Sequence, residues 1–364
     1  MAIGQRGPVL IMRKSALLTA AVIAGLTAPA LYAGAGSDGA AFLKVEAGAR
    51  AVAMGGAFAA VADDASAVFY NPAGPALLRN NEILLAHAEW IEGLRTEHAA
   101  YVHAMSAKLT LFGGLSALIV PALDEYDAAG VNTGKFSAMD GSFGVGAAYG
   151  IGPDVYIGLL AKTVYQQAAT EKAYAYAGDL GLVKNYGDTV RMGLALQNIG
   201  TPIKLHTQSF DLPRTYRVGG AYRLKETAWL TAEIMKAGHS EIAAAAGAEW
   251  EHAITARETV FARAGYKTGR SANAGPGLSA GLGLRTGDIG VDYAYSPFGD
   301  LGDTHRITLN FRFGRDRDEV VAERKIERIS RSGRTTPPAR SKPSREKSKK
   351  PAKSSKEQPV YFLW

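Results

Sequence analysis

The amino-acid sequence predicts an all-β chain, a transmembrane antiparallel barrel of about fourteen strands with an N-terminal segment folded inside it. Three observations carry this expectation. Period-two alternation of apolar and polar residues recurs in short stretches from Glu82 to Phe313. The connections between those stretches are long on one side and short on the other. An export signal stands ahead of them all.

Residues 1–35 read as that signal. Arg13 and Lys14 give a positive start, Ala16–Leu26 an apolar stretch, and Ala33-Gly34-Ala35 a small-residue cleavage site. A membrane anchor would need about twenty apolar residues, and only about a dozen precede Pro29. Residues 1–11 are unlike a signal, so Met12 is a second candidate for the true start. Residues 36–80 follow as a plug segment, and within them Gly48–Leu78 is too rich in Gly and Ala for a stable amphipathic helix. Asp63-Asp64 can cap a helical turn over Ala65–Tyr70, because a carboxylate oxygen accepts orphan backbone N–H groups. Asn71-Pro72 ends that turn, since proline disfavours helical geometry in the residue before it.

Residues 81–314 carry the alternation. Strands are expected near Glu82–Trp90, His98–Ala104, Thr110–Leu118, Ser142–Tyr149, Tyr156–Tyr165, Tyr176–Leu182 and Arg191–Gln197. Seven more are expected near Arg214–Leu224, Ala228–Ile234, Glu241–Trp250, Val260–Tyr266, Gly277–Arg285, Ile289–Tyr295 and His305–Phe313. A soluble sandwich and a membrane barrel both fit alternation, with their faces reversed. Connections favour the barrel. Ile119–Met139, Gln166–Ala175 and Asn198–Pro213 are long on one side; Met105–Leu109, Lys225–Thr227 and Thr286–Asp288 are short on the other. Met235–Ser240 and Glu251–Thr259 blur the pattern. Aromatics at strand ends, among them Tyr149, Tyr222, Trp229, Trp250 and Tyr293, suit membrane interfaces, though β-propensity also enriches them. The last strand sets Ile307, Leu309, Phe311 and Phe313 on one face, against Arg306, Thr308, Asn310 and Arg312.

Residues 315–364 form a charged tail. Stretch 331–358 holds ten Lys or Arg against Glu346 and Glu357, an excess of eight, in a chain whose net charge is +7. The remainder is therefore close to neutral, and no basic stripe of a nucleic-acid-binding fold stands within it. Such a tail cannot bury enough apolar surface to order itself. It is expected in the periplasm, as a solvated linker or as a stretch attracted to anionic envelope polymers. Tyr361, Phe362, Leu363 and Trp364 end it as a candidate partner-docking peptide.

Within the plug, MGGAF (Met54–Phe58) and ADDASAVFYNPAG (Ala62–Gly74) resemble the N-terminal signature of the PorV/PorQ family of outer-membrane proteins, relatives of FadL-type barrels. Ala177–Gly187, Leu194–Lys204 and Leu212–Tyr222 look like further blocks of that family, while the tail departs from it. The resemblance implies a lumen segment ahead of a 14-stranded barrel and marks Arg50, Met54, Gly55, Gly56, Asp63, Asp64, Asn71, Pro72 and Gly74 as a plug or hatch motif. It also likens the last strand to the one such barrels present to the insertion machinery.

Chemistry is sparse. The chain has no cysteine, hence no disulfide and no thiol ligand. His87, His98 and His103 lie in the first two strands with Ser106 and Ser116 nearby, but no motif fixes a nucleophile beside a base; His87 and His103 read better as lumen-facing polar residues. Asp124, Glu125 and Asp127 are too few and too loosely spaced for a calcium loop. Gly144–Gly146 and Gly281–Gly283 lack the helix a phosphate loop needs and suit strand curvature or close plug contact. No catalytic residue, metal or cofactor is expected. The expected role is an outer-membrane accessory of type IX-like secretion that binds exported cargo or secretion partners. A FadL-like channel for hydrophobic small molecules is the alternative, and a lipid-modifying barrel enzyme the second.

Overall fold

The computed structural model describes residues 38–270, 274–314 and 316–317. The signal, the basic stretch and Tyr361–Trp364 lie outside them. Seven strands lead: β1 (Asn81–Glu89), β2 (Arg95–His103), β3 (Leu109–Tyr126), β4 (Asn132–Gly150), β5 (Val155–Ala168), β6 (Glu171–Tyr186) and β7 (Val190–Gly200). A small hairpin, β8 (Ile203–Leu205) and β9 (Gln208–Phe210), interrupts them. Seven follow: β10 (Thr215–Leu224), β11 (Ala228–Ala237), β12 (Ile242–Ala253), β13 (Glu258–Lys267), β14 (Leu278–Thr286), β15 (Ile289–Pro297) and β16 (Asp303–Phe313). All but β8 and β9 form one closed antiparallel barrel of fourteen strands. It closes where β1 meets β16, from Asn81 opposite Phe313 to Glu89 opposite His305. Closure leaves no unpaired sheet edge within the wall, which a hydrocarbon environment requires.

The faces are those of a membrane barrel. On β1, Glu82, Leu84, Ala86 and Ala88 are buried against the interior, while Ile83 and Leu85 are exposed on the outside. Elsewhere the buried inward set includes Arg217, Glu233, Glu249, Arg263 and Asp292, and the exposed outward set includes Leu159, Val218, Ile234, Leu282 and Leu309. Ile307, Leu309 and Phe311 of β16 face outward, and Phe313 stacks on Tyr101 at 6.2 Å. Apolar side chains outside and paired charges inside reverse the sandwich arrangement.

Several expectations are corrected. Ile119–Met139 is not a loop: β3 and β4 run on as a two-stranded ribbon beyond their neighbours, since β2 pairs with β3 only as far as Ile119. Register shifts between Val120 and Leu123 and between Glu125 and Tyr126 break the period-two pattern there, and so hid these strands. Asp127 closes the ribbon's turn by accepting from Ala129 and Val131 N–H, both 2.9 Å. Gln166–Ala175 is likewise mostly strand, and Glu251–Thr259 shrinks to a turn at 254–257, which removes one of the two blurred connections. His87 and His103 do not face the lumen. Both lie on the outer face, His87 bonded to Glu97 at 2.7 Å, because they share the alternation of exposed Leu85 on β1 and Tyr101 on β2. Trp229 leaves the aromatic belt: it points inward beneath Arg191 and Arg223, at 5.1 and 5.6 Å.

Candidate functional site

The interior is filled by residues 38–80, which run as short turns rather than one helix. Ala49–Ala53 makes a single α-helical turn, and Ala65–Phe69 and Gly74–Leu77 are 3-10 turns. Small side chains let this backbone pack against the wall. Inward-facing Gly158 and Gly181 sit opposite each other on β5 and β6, as do Gly193 and Gly219 on β7 and β10, and Gly247 and Gly265 on β12 and β13. A Cβ on Gly158, Gly181, Gly193, Gly247 or Gly265 would overlap plug atoms between Met54 and Ala73, and one on Gly281 would come within 2.6 Å of Ala53 Cβ. Glycine is required at these seats by closeness of approach.

The motif residues divide by task. Gly55 and Gly56 hold φ of 66° and 78°, conformations that favour glycine, and pass beside Met54, which is fully buried. Arg50 is the hub. It donates to Asp63 (2.7 Å) and Asp64 (2.9 Å) within the plug, and through Nε and Nη2 to both oxygens of Glu249 on β12 (2.7 and 2.8 Å). Arg263 ties Glu249 onward to Asp292, each contact 2.6 Å. Only Asp64 caps the turn, accepting from Ser66 N–H at 2.9 Å; Asp63 instead also binds Arg191 on β7 at 3.0 Å. Burial works to raise the Asp63 carboxyl, but Arg50 and Arg191 outweigh it and hold it well below the usual carboxylate range. Asn71 donates to Ala59 and Leu182 carbonyls and accepts from Ala73 N–H. Pro72 lies on the Gly158–Gly181 seat, and Gly74 passes close to the Ala62 carbonyl.

Glu233 of β11 was missed in the sequence. It accepts from Phe58 and Ala59 N–H at 2.9 and 2.8 Å and from Arg217 at 2.6 Å. Glu82 of β1 does the same for Ala65 N–H with Arg312. An acidic residue at an inward period-two position is the one local signal for such anchors.

Within the plug, between Phe42–Ala47 and Val68–Tyr70 and toward the end with the long ribbon, lies a cavity of about 200 Å³. Phe42, Phe69, Leu160 and Met235 give it apolar walls, and Lys162, Arg217 and Lys267 give it charge. His98 and Ser116, opposite each other on β2 and β3, also line it, bonded Nδ1 to Oγ at 2.9 Å. No third group orients this His, and among the described residues no cluster of His, Asp and Glu has the shape of a metal site. Outside the same part of the wall, an apolar groove of about 1310 Å³ runs between Tyr101, Leu115, Phe143 and Leu159. Cavity and groove back onto the same residues, Gly114 and Leu160.

Comparison with known proteins adds family and fold. The uncharacterised protein family UPF0164 matches residues 35–240. A UPF0164 protein of Treponema pallidum (strain Nichols) is 26% identical over 312 residues, covering 77% of this chain and 72% of the relative. Among solved structures, the Ralstonia pickettii toluene transporter TbuX superposes with a TM-score of 0.54 at 14% identity, over 75% of this chain and 100% of that one. The P. putida toluene transporter TodX gives 0.55 at 12% identity, over 74% and 99%. At these identities the likeness is one of fold: an outer-membrane-type β-barrel.

Proposed function

The chain belongs to the uncharacterised protein family UPF0164, and from that premise we propose that it is an outer-membrane channel for small hydrophobic molecules. One observation carries the reading: the lumen cavity and the exterior apolar groove share Gly114 and Leu160 as their common wall. A straight path through the barrel is filled by the plug, whereas glycines at 113, 114, 144 and 146 thin the wall between cavity and groove. The channel reading places lateral exit into the bilayer there, where β2 to β5 pair without a break and would have to part. Fold likeness to two toluene transporters supports the same reading.

Uptake tests it. Cells lacking the gene should take up a monoaromatic hydrocarbon more slowly than complemented cells. Ala161→Trp, which fills the groove from the lipid side, should restore uptake only in part. Equal uptake by deleted and complemented cells would refute the proposal.

A second reading, the PorV/PorQ-type secretion partner, is favoured by the ribbon. It stands beyond the other strands and exposes Leu123, Tyr126 and Val131. Cargo should then co-purify with the barrel, and a knockout that secretes its full set of proteins would end this reading. Attraction of stretch 331–358 to anionic envelope polymers and docking by Tyr361–Trp364 remain proposals; binding that persists unchanged at high salt would count against the first.

A further inference from the structure

Resting on the channel reading, we propose that the lumen cavity selects neutral single-ring molecules that carry a hydroxyl group, over both plain hydrocarbons and carboxylates.

Size sets the first limit. A cavity of 150 Å³ is known to hold benzene, so about 200 Å³ here accommodates one ring and a small substituent. Phe42, Phe69, Leu160 and Met235 supply the apolar surface for that ring.

Charge sets the second. Every Lys or Arg lining the cavity already faces a carboxylate: Lys44 with Asp38 (2.7 Å), Lys162 with Asp179 (2.8 Å), Arg217 with Glu233 (2.6 Å) and Lys267 with Glu46 (2.7 Å). No lining cation is left to neutralise an incoming anion. Glu241, which has no ion pair among the described residues, adds a negative charge to the same lining. Arg306 donates to the Glu46 carbonyl and does not line the cavity. A carboxylate would therefore lose its hydration without a free partner.

Hydrogen bonding sets the third. His98 is buried and its Nε2 has no partner, while its Nδ1 holds Ser116 Oγ. Ser142, opposite Ser116 on β4, also lines the cavity. His98 Nε2 is itself enclosed, so a ligand hydroxyl donates and accepts at the Ser116 and Ser142 hydroxyls, an exchange a hydrocarbon cannot make.

Toluene, p-cresol and benzoate separate the three possibilities, because they keep one ring and change its substituents. At pH 7 the phenol is neutral and the carboxylate charged. The full chain, refolded into lipid nanodiscs, is titrated with each by calorimetry, with empty nanodiscs subtracted. p-Cresol should bind roughly tenfold tighter than either of the others, the worth of about one satisfied hydrogen bond. Ser116→Ala should bring the cresol-to-toluene ratio toward one, and Ser116→Thr should restore it. Toluene binding as tightly as p-cresol overturns the proposal and leaves the channel reading intact. Benzoate binding tightest overturns it too, by showing that the cavity reads charge. If none of the three binds, the proposal falls, and the uptake experiment decides separately whether the channel reading falls with it.

Discussion

Replacing Gly265 by alanine measures how closely the plug is held. A Cβ there would overlap Gly55 N and the Met54 carbonyl carbon, which are backbone atoms and cannot rotate aside. Retreat is closed as well, because Met54 is fully buried and Gly247, paired with Gly265, presses on the same residue. Overpacking of this kind costs about 1–3 kcal/mol. Alanine recovers about 0.5–1 kcal/mol over glycine inside a strand. The net expectation is a loss of up to about 2.5 kcal/mol, toward the upper end because the overlapped atoms are backbone. Urea unfolding of the barrel refolded into lipid vesicles reads this as a lower midpoint at unchanged slope. Gly220 is the control: it neighbours Gly219 on the same strand, but a Cβ there meets nothing within 4 Å. Gly265→Ala gaining as much stability over the wild type as Gly220→Ala does would refute the close seat.

Arg50→Met should destabilise by roughly 3 kcal/mol, because it strips a charge partner from buried Glu249 and from Asp63 and Asp64 together; an unchanged urea midpoint would sink the hub. Phe58→Ala should cost about 3–4 kcal/mol, since Phe58 is fully buried edge-on to Tyr70 at 5.2 Å, and the same unfolding assay reads it. The Asp63 carboxyl titrates lower in the folded chain than in the unfolded one, so the folded state binds fewer protons. Its contribution is full above the ordinary carboxylate range and is lost as pH falls through the depressed folded value. Asp63→Asn should flatten the acid limb of a stability–pH profile, and an unaltered limb would remove Asp63 from the latch. Brominated lipids should quench Trp250, exposed on the outer face, and spare Trp229, which lies under two arginines inside; single-Trp variants with equal quenching would contradict the assigned faces.

Most of the strands were legible because a half-buried strand needs only neighbours two residues apart to declare itself. The closing strand His305–Phe313 and the short turn at Thr286–Asp288 show it. The Asp64 cap was legible for the same local reason, as its bond to Ser66 N–H spans two residues. The ribbon at 120–137 was not, since a register shift resets the alternation that reveals a strand.

What the amino-acid order alone determined is the β class, the number of barrel strands, and a small-residue segment ahead of them suited to lie inside something. Only the tertiary structure decided which face of each strand looks outward, and so moved His87 out and Trp229 in. Alternation is symmetric: exchanging inside for outside leaves the same period. Only closure of the ring around a charged, hydrogen-bonded plug breaks that symmetry. The partners that do so, Arg50 with Glu249 and Gly265 with Gly55, are separated by about two hundred residues of chain, beyond any local pattern.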